Sequence, residues 1–291
     1  MPDAGALERY AAPRALAEAL ELLRDGDATI VAGGTDLMPQ SHSGKARFGS
    51  LLLNIRRIAE LGGIALEGDT VRIGALTSIS ALLASPLVRE RLSILAQAAD
   101  QFASEQVRNA ATIGGNVCNA SPAGDTLVPL IVLDAAVELA AKAGGGIETR
   151  TLPLQDFLTG PGRTQRRPHE LMTAVRVPLP PAGFVARFYK HGTRPALDIS
   201  TISLGIGGVR RGDRLERVRV AFGAVAPTPI RARAAEALIE GRALDAAAIE
   251  AAAEAAHDEV RPISDVRASD WYRQELVRNM TRRVLAHVAF G

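Results

Sequence analysis

Two segments with paired glycines constrain this chain more than any other feature of its sequence. The first is AGGTD at 32–36, directly after the β-branched stretch ATIV, and the second is TIGGN at 112–116. Paired glycines let the main chain turn sharply and let an anionic group approach consecutive backbone amides. A single pair is more typical of an ordinary tight turn. Two pairs with polar flanks, each near a predicted strand, favour a shared site for a phosphate-containing ligand.

The second glycine pair opens the loop TIGGNVCNASPAGD, residues 112–125, which contains no Lys, Arg or His and ends in one carboxylate, Asp125. Main-chain amides and neutral side chains can hold a diphosphate without a lysine. This loop without basic side chains is therefore predicted to lie against a ligand. Gly115 is predicted to have a positive φ and to leave the phosphate approach open, so that Gly115→Val would block binding.

Composition limits the classes of protein that remain. The chain has 291 residues, 47% hydrophobic and 23% charged, which indicates a globular protein of about two domains at roughly 100–200 residues each. Net charge is +2 with dispersed basic residues and 4% aromatics, which does not favour nucleic-acid binding. One cysteine, Cys118, cannot form an intrachain disulfide or ligate an iron–sulfur cluster. Without a signal-peptide core or an apolar run near ~20 residues, we expect a cytoplasmic protein that does not span a membrane.

Hydrophobic periodicity predicts an α+β chain in two parts. In the first part it predicts a helix over 13–25, a strand over 28–34, a hairpin over 64–76 turning at 67–69, a helix over 78–103 broken near Pro86, and a strand from 172 that ends in prolines. In the second part it predicts antiparallel strands around a turn at Gly212–Asp213, and then helices from Arg231. The last helix carries a core stripe of Leu276, Met280, Val284 and Val288.

The sequence contains none of the common catalytic or metal-binding motifs. Gly205–Ile206–Gly207 is followed by Arg210 where a dinucleotide fingerprint needs its third glycine. The five histidines are scattered without metal-ligand spacing. The sequence therefore predicts neither a metal site nor a catalytic acid–base pair.

Three segments together resemble a known family. VAGGTDLMP at 31–39, QVRNAATIGGNVCNASPAGD at 106–125 and YKHGTRPALDIS at 189–200 are similar, in this order, to the signature segments of the FAD-binding medium subunit of molybdenum hydroxylases. That family includes carbon monoxide dehydrogenase and xanthine dehydrogenase. The resemblance implies a FAD-binding domain of the vanillyl-alcohol-oxidase type over 1–178, with α+β subdomains at about 1–57 and 58–178. A C-terminal domain over 183–291 would follow, with a three-stranded antiparallel sheet and helices.

The resemblance also implies the residues that bind FAD. The first segment would hold the diphosphate, the second would continue the site, Asp125 would bind sugar hydroxyls, and Lys190 would lie near the isoalloxazine ring. The full set is Ile30, Ala32, Gly33, Gly34, Thr35, Asp36, Leu37, Phe102, Ala111, Thr112, Gly114, Gly115, Asn116, Asn119, Asp125, Met172 and Lys190. Structural alternatives stay open: Phe102 and Met172 as core residues, Asp36 and Asp125 as helix caps, Lys190 as a solvated charge, and Cys118 as an inert thiol.

By the same resemblance, the chain would be the FAD-carrying electron-transfer subunit of a larger oxidoreductase. A molybdopterin-binding large subunit and a [2Fe–2S] small subunit would carry the other cofactors, in a dimer of heterotrimers, and NAD or a quinone would accept the electrons. The alternative enzyme is a stand-alone flavin oxidoreductase that acts directly on a small substrate. A flavin-free scaffold, in which the glycine pairs are only turns, is the alternative outside the enzymes.

Overall fold

The computed structural model describes residues 7–24, 26–194 and 197–290. The first six residues of the predicted N-terminal domain, Asp25 at the end of the predicted first helix, Pro195 and Ala196 of the third signature segment, and Gly291 lie outside the described residues. No helix within the described ranges combines the length and the apolar character that a membrane crossing needs.

A small parallel sheet opens the chain. Its strand order is β1 (Arg9–Ala11), β3 (Leu51–Asn54) and β2 (Ala28–Val31). Helix α1 (Leu16–Leu22) packs with this sheet in one apolar core, to which the buried Leu51 and Leu53 contribute. The predicted helix over 13–25 and the predicted strand over 28–34 are therefore both shorter in the structure. The strand ends where the first glycine pair begins.

A five-stranded antiparallel sheet forms the next layer. Its order is β4 (Ile64–Glu67), β5 (Thr70–Gly74), β10 (Glu170–Pro178), β6 (Ala136–Ala143) and β7 (Gly146–Pro153). The predicted hairpin between β4 and β5 is confirmed, with a turn at Gly68–Asp69. Its long partner β10 comes from about 100 residues further along the chain, a separation that makes this pairing strongly non-local.

Short helices connect these strands. The predicted helix over 78–103 is three helices, because Ser85 caps a new helix that has Pro86 at its first position, and the chain breaks again at Leu92. The helices are α3 (Ile79–Ala84), α4 (Pro86–Arg91), α5 (Ser93–Asp100), α6 (Glu105–Ala110), α7 (Ile113–Asn119), α8 (Leu127–Val132) and α9 (Leu154–Phe157). A 3-10 turn at Ala59–Leu61, helix α2 (Leu37–His42) and a two-stranded ribbon of β8 (Leu158–Gly160) and β9 (Arg163–Thr164) complete this part.

The remaining residues form a second antiparallel sheet and a helical layer. The sheet order is β11 (Phe184–His191), β12 (Ile202–Arg211), β13 (Arg214–Gly223) and β14 (Ile230–Arg231). The family resemblance implied three strands, and the structure adds β14, which pairs at only two positions. Helices α10 (Arg233–Ile239), α11 (Ala246–Glu259) and α12 (Asp270–Phe290) cover one face. The predicted stripe of α12 is confirmed, since Leu276, Val284 and Val288 are buried in that core.

Candidate functional site

The two glycine segments, far apart in sequence, meet in the structure. A Cβ on Gly33 would lie 2.1 Å from the carbonyl oxygen of Ala110, so only glycine lets these two main chains touch. Gly34 has a φ of +71°, which glycine adopts without strain. The first pair is therefore glycine for two reasons, close approach at Gly33 and a left-handed conformation at Gly34.

The first segment carries unpaired main-chain donors. Within the described chain, the main-chain amides of this segment donate no hydrogen bond at four consecutive residues, Gly33, Gly34, Thr35 and Asp36. The hydrogen bonds of the following helix begin immediately afterwards, where the Met38 amide donates to the Gly34 carbonyl. Backbone N–H groups that lack partners are expected to bind water or a ligand. Consecutive donors in a glycine turn suit an anion.

The second segment is the start of a helix and not the loop that the sequence predicted. Thr112 caps α7, and its Oγ1 accepts from the Gly115 amide at 3.0 Å. The Ile113 and Gly114 amides donate to Thr77 at 3.0 Å and Ala75 at 2.9 Å. These amides are therefore already satisfied, and the segment contributes a surface of close approach rather than a row of donors.

Close packing explains the two glycines of this helix. A Cβ on Gly114 would lie 2.7 Å from both the Cβ and the carbonyl oxygen of Ala75. Gly115 is helical and is not among the residues with positive φ, so the prediction of a positive φ at this position is wrong. A Cβ there would lie 2.9 Å from the Thr112 hydroxyl.

A cavity of about 670 Å³ opens between these segments, within the range of small-molecule and cofactor sites. The predicted site residues that line it are Ile30, Ala32, Gly33, Gly34, Thr35, Asp36, Leu37, Phe102, Ala111, Thr112, Gly114, Gly115, Asn116, Asn119, Asp125 and Met172. Lys190 is the predicted residue that does not line it. The structure thus brings together residues that span more than 140 positions of the chain.

Several polar residues of the cavity already have protein partners. Asp36 occupies the N-cap position of α2 without capping it, and instead accepts from the Gln40 side chain. The Asn116 side-chain oxygen accepts from the Thr126 hydroxyl at 2.6 Å, which fixes the chain before α8. Asn116 therefore has a structural function, whereas the Asn119 side chain, in the described chain, has no hydrogen-bond partner that would hold it.

Asp125 is held by residues from the C-terminal sheet region. Its Oδ2 accepts from Lys190 Nζ at 2.6 Å and its Oδ1 from Ser200 Oγ at 2.8 Å. Asp125 caps no helix, and Lys190 is a buried ion-pair partner rather than a solvated charge. Burial raises the pKa of Asp125 above its ordinary value, while the Lys190 ammonium and the Ser200 hydroxyl act in the opposite direction.

Apolar and sulfur-containing side chains form another part of the wall. Phe102 and Met172 are both buried within the main apolar core and also line the cavity. Each can therefore be a core residue and part of the cavity wall at the same time. Cys118 Sγ lies 3.4 Å from Met172 Sδ. Loss of solvation raises the pKa of the Cys118 thiol to about 11, against a smaller opposing effect of Arg166, so the thiol stays protonated at neutral pH.

The sequence analysis did not predict Arg166 as a site residue. Arg166 Nη1 donates to the carbonyls of Arg167, Pro168 and Glu170 at 2.8–3.2 Å, and the residue lines the cavity. Among the described lining residues it carries the one positive charge. Asp198 and Ile199 were also missed as lining residues. The sequence has no local signal that would place Asp198 and Ile199 at the cavity.

Comparisons with known proteins agree with this geometry. Residues 5–180 match the family of the FAD binding domain in molybdopterin dehydrogenase, and residues 187–288 match the CO dehydrogenase flavoprotein C-terminal domain. The chain is 35% identical over 274 residues to the xanthine dehydrogenase FAD-binding subunit of Escherichia coli O157:H7, covering 93% of this chain and 92% of that one.

Carbon monoxide dehydrogenase of Hydrogenophaga pseudoflava is similar both in sequence and in structure. Its medium chain is 35% identical over 280 residues, covering 95% of each chain. A solved structure of that enzyme superposes with a TM-score of 0.90 and 35% identity over 96% of each chain. The chain therefore belongs to the family of FAD-binding medium subunits of molybdenum hydroxylases and is an oxidoreductase flavoprotein subunit.

Proposed function

We propose that this chain carries FAD in the cavity between its two glycine segments and relays electrons within a multi-subunit molybdenum hydroxylase. A partner [2Fe–2S] subunit supplies the electrons, NAD or a quinone-type acceptor removes them, and a molybdopterin-binding large subunit oxidises the substrate. FAD, when bound, can exchange electrons singly and in pairs, which is the chemistry that such a relay needs. The assembly proposed is a dimer of heterotrimers, in the cytoplasm.

The single observation that carries this proposal is the row of unpaired amides at Gly33–Asp36 on the cavity wall. A diphosphate is an anion that such donors bind without a lysine. At Gly33 a Cβ would strike the carbonyl oxygen of Ala110, so glycine lets the two segments meet at the cavity. These features fit the diphosphate of FAD, with Gly33, Gly34 and Thr35 as its proposed contacts.

Other residues suit the remaining parts of the cofactor. Phe102, Met172 and Leu37 give the cavity apolar surface on which an aromatic ring system can pack. Asn119 offers an uncommitted side-chain amide, and Asp125 offers carboxylate lone pairs to hydroxyl groups. Relaying electrons does not require a general acid and base among the residues that line the cavity.

We also propose that the chain divides functionally between residues 178 and 183. The FAD-binding part, 1–178, contains both glycine segments, with subdomains at about 1–57 and 58–178. The C-terminal part, 183–291, contributes Lys190 and Ser200 behind Asp125. Both parts are needed for the site, because the ion pair joins them.

The test is affinity purification of the tagged chain from its native host, followed by a visible spectrum and by analysis of molybdenum and iron. We expect a flavin spectrum, together with one larger molybdenum-containing and one smaller iron-containing partner. A colourless protein without partners would contradict the proposal and favour the flavin-free scaffold. A yellow protein that turns over a substrate alone, without molybdenum or iron, would favour the stand-alone flavin oxidoreductase.

A further inference from the structure

The cavity wall at Asp125 is built from both parts of the chain. Asp125 lies between α7 and α8, whereas Lys190 belongs to β11 and Ser200 lies just before β12. The side chains of Lys190 and Asp125 are only 7% and 11% exposed, and Ser200 is buried. A buried pair of this kind is costly unless its geometry and its remaining hydrogen bonds are good.

The contacts around this pair leave Lys190 little freedom to reach a cofactor. Its Nζ donates to Asp125 Oδ2 at 2.6 Å and to the Gln101 carbonyl at 3.3 Å. Lys190 does not line the cavity, whereas Asp125 does. Each oxygen of Asp125 accepts one protein hydrogen bond and keeps a second acceptor position. The carboxylate is therefore the group of this cluster that can meet a ligand hydroxyl.

We propose that Lys190 and Ser200 are positioning residues that act on FAD through Asp125. They hold the Asp125 carboxylate in place and favour its charged form, so that it accepts hydrogen bonds from hydroxyl groups of the cofactor. The inference rests on the proposed function, since it concerns the same cavity. It assigns Ser200 a part in cofactor binding, and it replaces a direct contact between Lys190 and the flavin with an indirect one.

The physical basis is the cost of an isolated buried charge. Lys190 is the charged group that faces Asp125 among the described residues, and Ser200 and the Gln101 carbonyl complete the cluster. Without the ammonium, a buried carboxylate takes up a proton more readily, which raises its pKa further. A neutral carboxyl group accepts weaker hydrogen bonds than a carboxylate. Without the Lys190 ammonium, FAD affinity should therefore begin to fall at a higher pH than it does in the unaltered protein.

The experiment is FAD titration of the full-length apoprotein, followed by flavin fluorescence over a series of pH values. For Lys190→Met we expect affinity at neutral pH to fall at least about tenfold, as expected for a charged hydrogen bond, and to recover as pH rises. Lys190→Arg should restore much of the affinity. Lys190→Met combined with Asp125→Asn should bind weakly without any dependence on pH, because nothing titrates at this position.

Lys45→Met is the matched control, because Lys45 is exposed and does not line the cavity; its affinity should equal that of the unaltered protein. A Lys190→Met variant whose affinity and pH profile match the unaltered protein would overturn the inference. A loss of equal size at every pH would also overturn it, because it would show a purely structural effect. Failure of the unaltered full-length chain to bind FAD would instead contradict the proposed function.

Discussion

At the scale of single residues, close packing explains the glycines better than turn geometry does. Gly33 and Gly114 are glycine because a Cβ would strike Ala110 and Ala75, respectively. Gly34 is the one with a left-handed φ. The glycine pairs could be found in the sequence, but which member meets which neighbour depends on contacts between distant segments.

Gly33→Ala tests the junction of the two segments. The new Cβ would lie 2.1 Å from the Ala110 carbonyl oxygen, and backbone cannot move away as a flexible side chain could. We expect most of the bound FAD to be lost and the free energy of unfolding to fall by about 1–3 kcal/mol. The flavin-to-protein absorbance ratio and urea denaturation measure the two effects.

Gly146→Ala is the matched control for that variant. A Cβ on Gly146 meets nothing within 4 Å, and its φ is not positive. It should keep its full complement of FAD and its stability. Normal flavin content in Gly33→Ala would show that the contact between the two segments does not shape the cofactor site.

The predicted site residues line the observed cavity with the exception of Lys190. That exception and the missed Arg166 have physical reasons. Sequence similarity placed Lys190 in the site, but only the fold shows that Asp125 lies between its ammonium and the cavity. Arg166 was missed because its position depends on three carbonyls of its own following turn. A local pattern cannot show that such a turn faces a cavity.

At the scale of elements, periodicity found the strands better than it found the helix ends. The hairpin of β4 and β5 and the turn at Gly212–Asp213 were predicted, because alternation and turn residues are local signals. The TIGGN segment was predicted as a loop and is the start of α7, because tertiary packing stabilises a helix that its glycines disfavour. The predicted helix break near Pro86 is confirmed, since Ser85 caps α4, whereas the second break at Leu92 was not predicted.

One carboxylate joins three strands of the five-stranded sheet. Glu138 on β6 accepts from Arg72 on β5 at 2.7 Å, and from Thr173 at 2.7 Å and Arg176 at 3.1 Å on β10. Burial is the largest single effect and opposes ionisation, but the hydrogen bonds from Arg72, Thr173 and Arg176 and the charge of Arg72 together outweigh it and lower the pKa of Glu138 below its ordinary value of 4.5. This carboxylate is therefore expected to make sheet stability depend on pH.

The sign follows from the lowered pKa. The stabilisation by ionised Glu138 is complete well above its ordinary pKa of 4.5 and is lost as pH falls through the lower pKa of the folded state. Glu138→Gln should lower the free energy of unfolding at neutral pH by about 1–3 kcal/mol and reduce its decline on acidification. Urea denaturation at several pH values measures this. The control is Glu148→Gln at an exposed position on β7. If the free energy of unfolding of Glu138→Gln fell as steeply on acidification as that of the unaltered protein, Glu138 would be excluded as the cause of the pH dependence.

At the scale of the whole molecule, one of the apolar cores contains residues of both parts. Ala186 and Phe188 of β11 and Ala221 of β13 belong to the same buried cluster as the five-stranded sheet and its helices. Glycines on β12 make this possible, since Gly205 and Gly207 would place a Cβ within 2.8–3.0 Å of Val128 and Val132 on α8. The glycines that failed as a dinucleotide fingerprint therefore serve to let a helix pack flat against the second sheet.

This shared core predicts that the two parts unfold together. Because burial across the junction stabilises both, heating the intact chain should give one calorimetric transition. Gly207→Val would crowd Val132 at 2.8 Å and Phe184 at 2.7 Å, which should cost about 1–3 kcal/mol and push α8 off β12. We expect this variant to show two separated transitions and to bind FAD less tightly, since Lys190 and Ser200 would withdraw from Asp125. The control is Gly146→Val at a surface position, which should keep the single transition. Two transitions in the unaltered chain would show that the shared core does not couple the unfolding of the two parts of the chain.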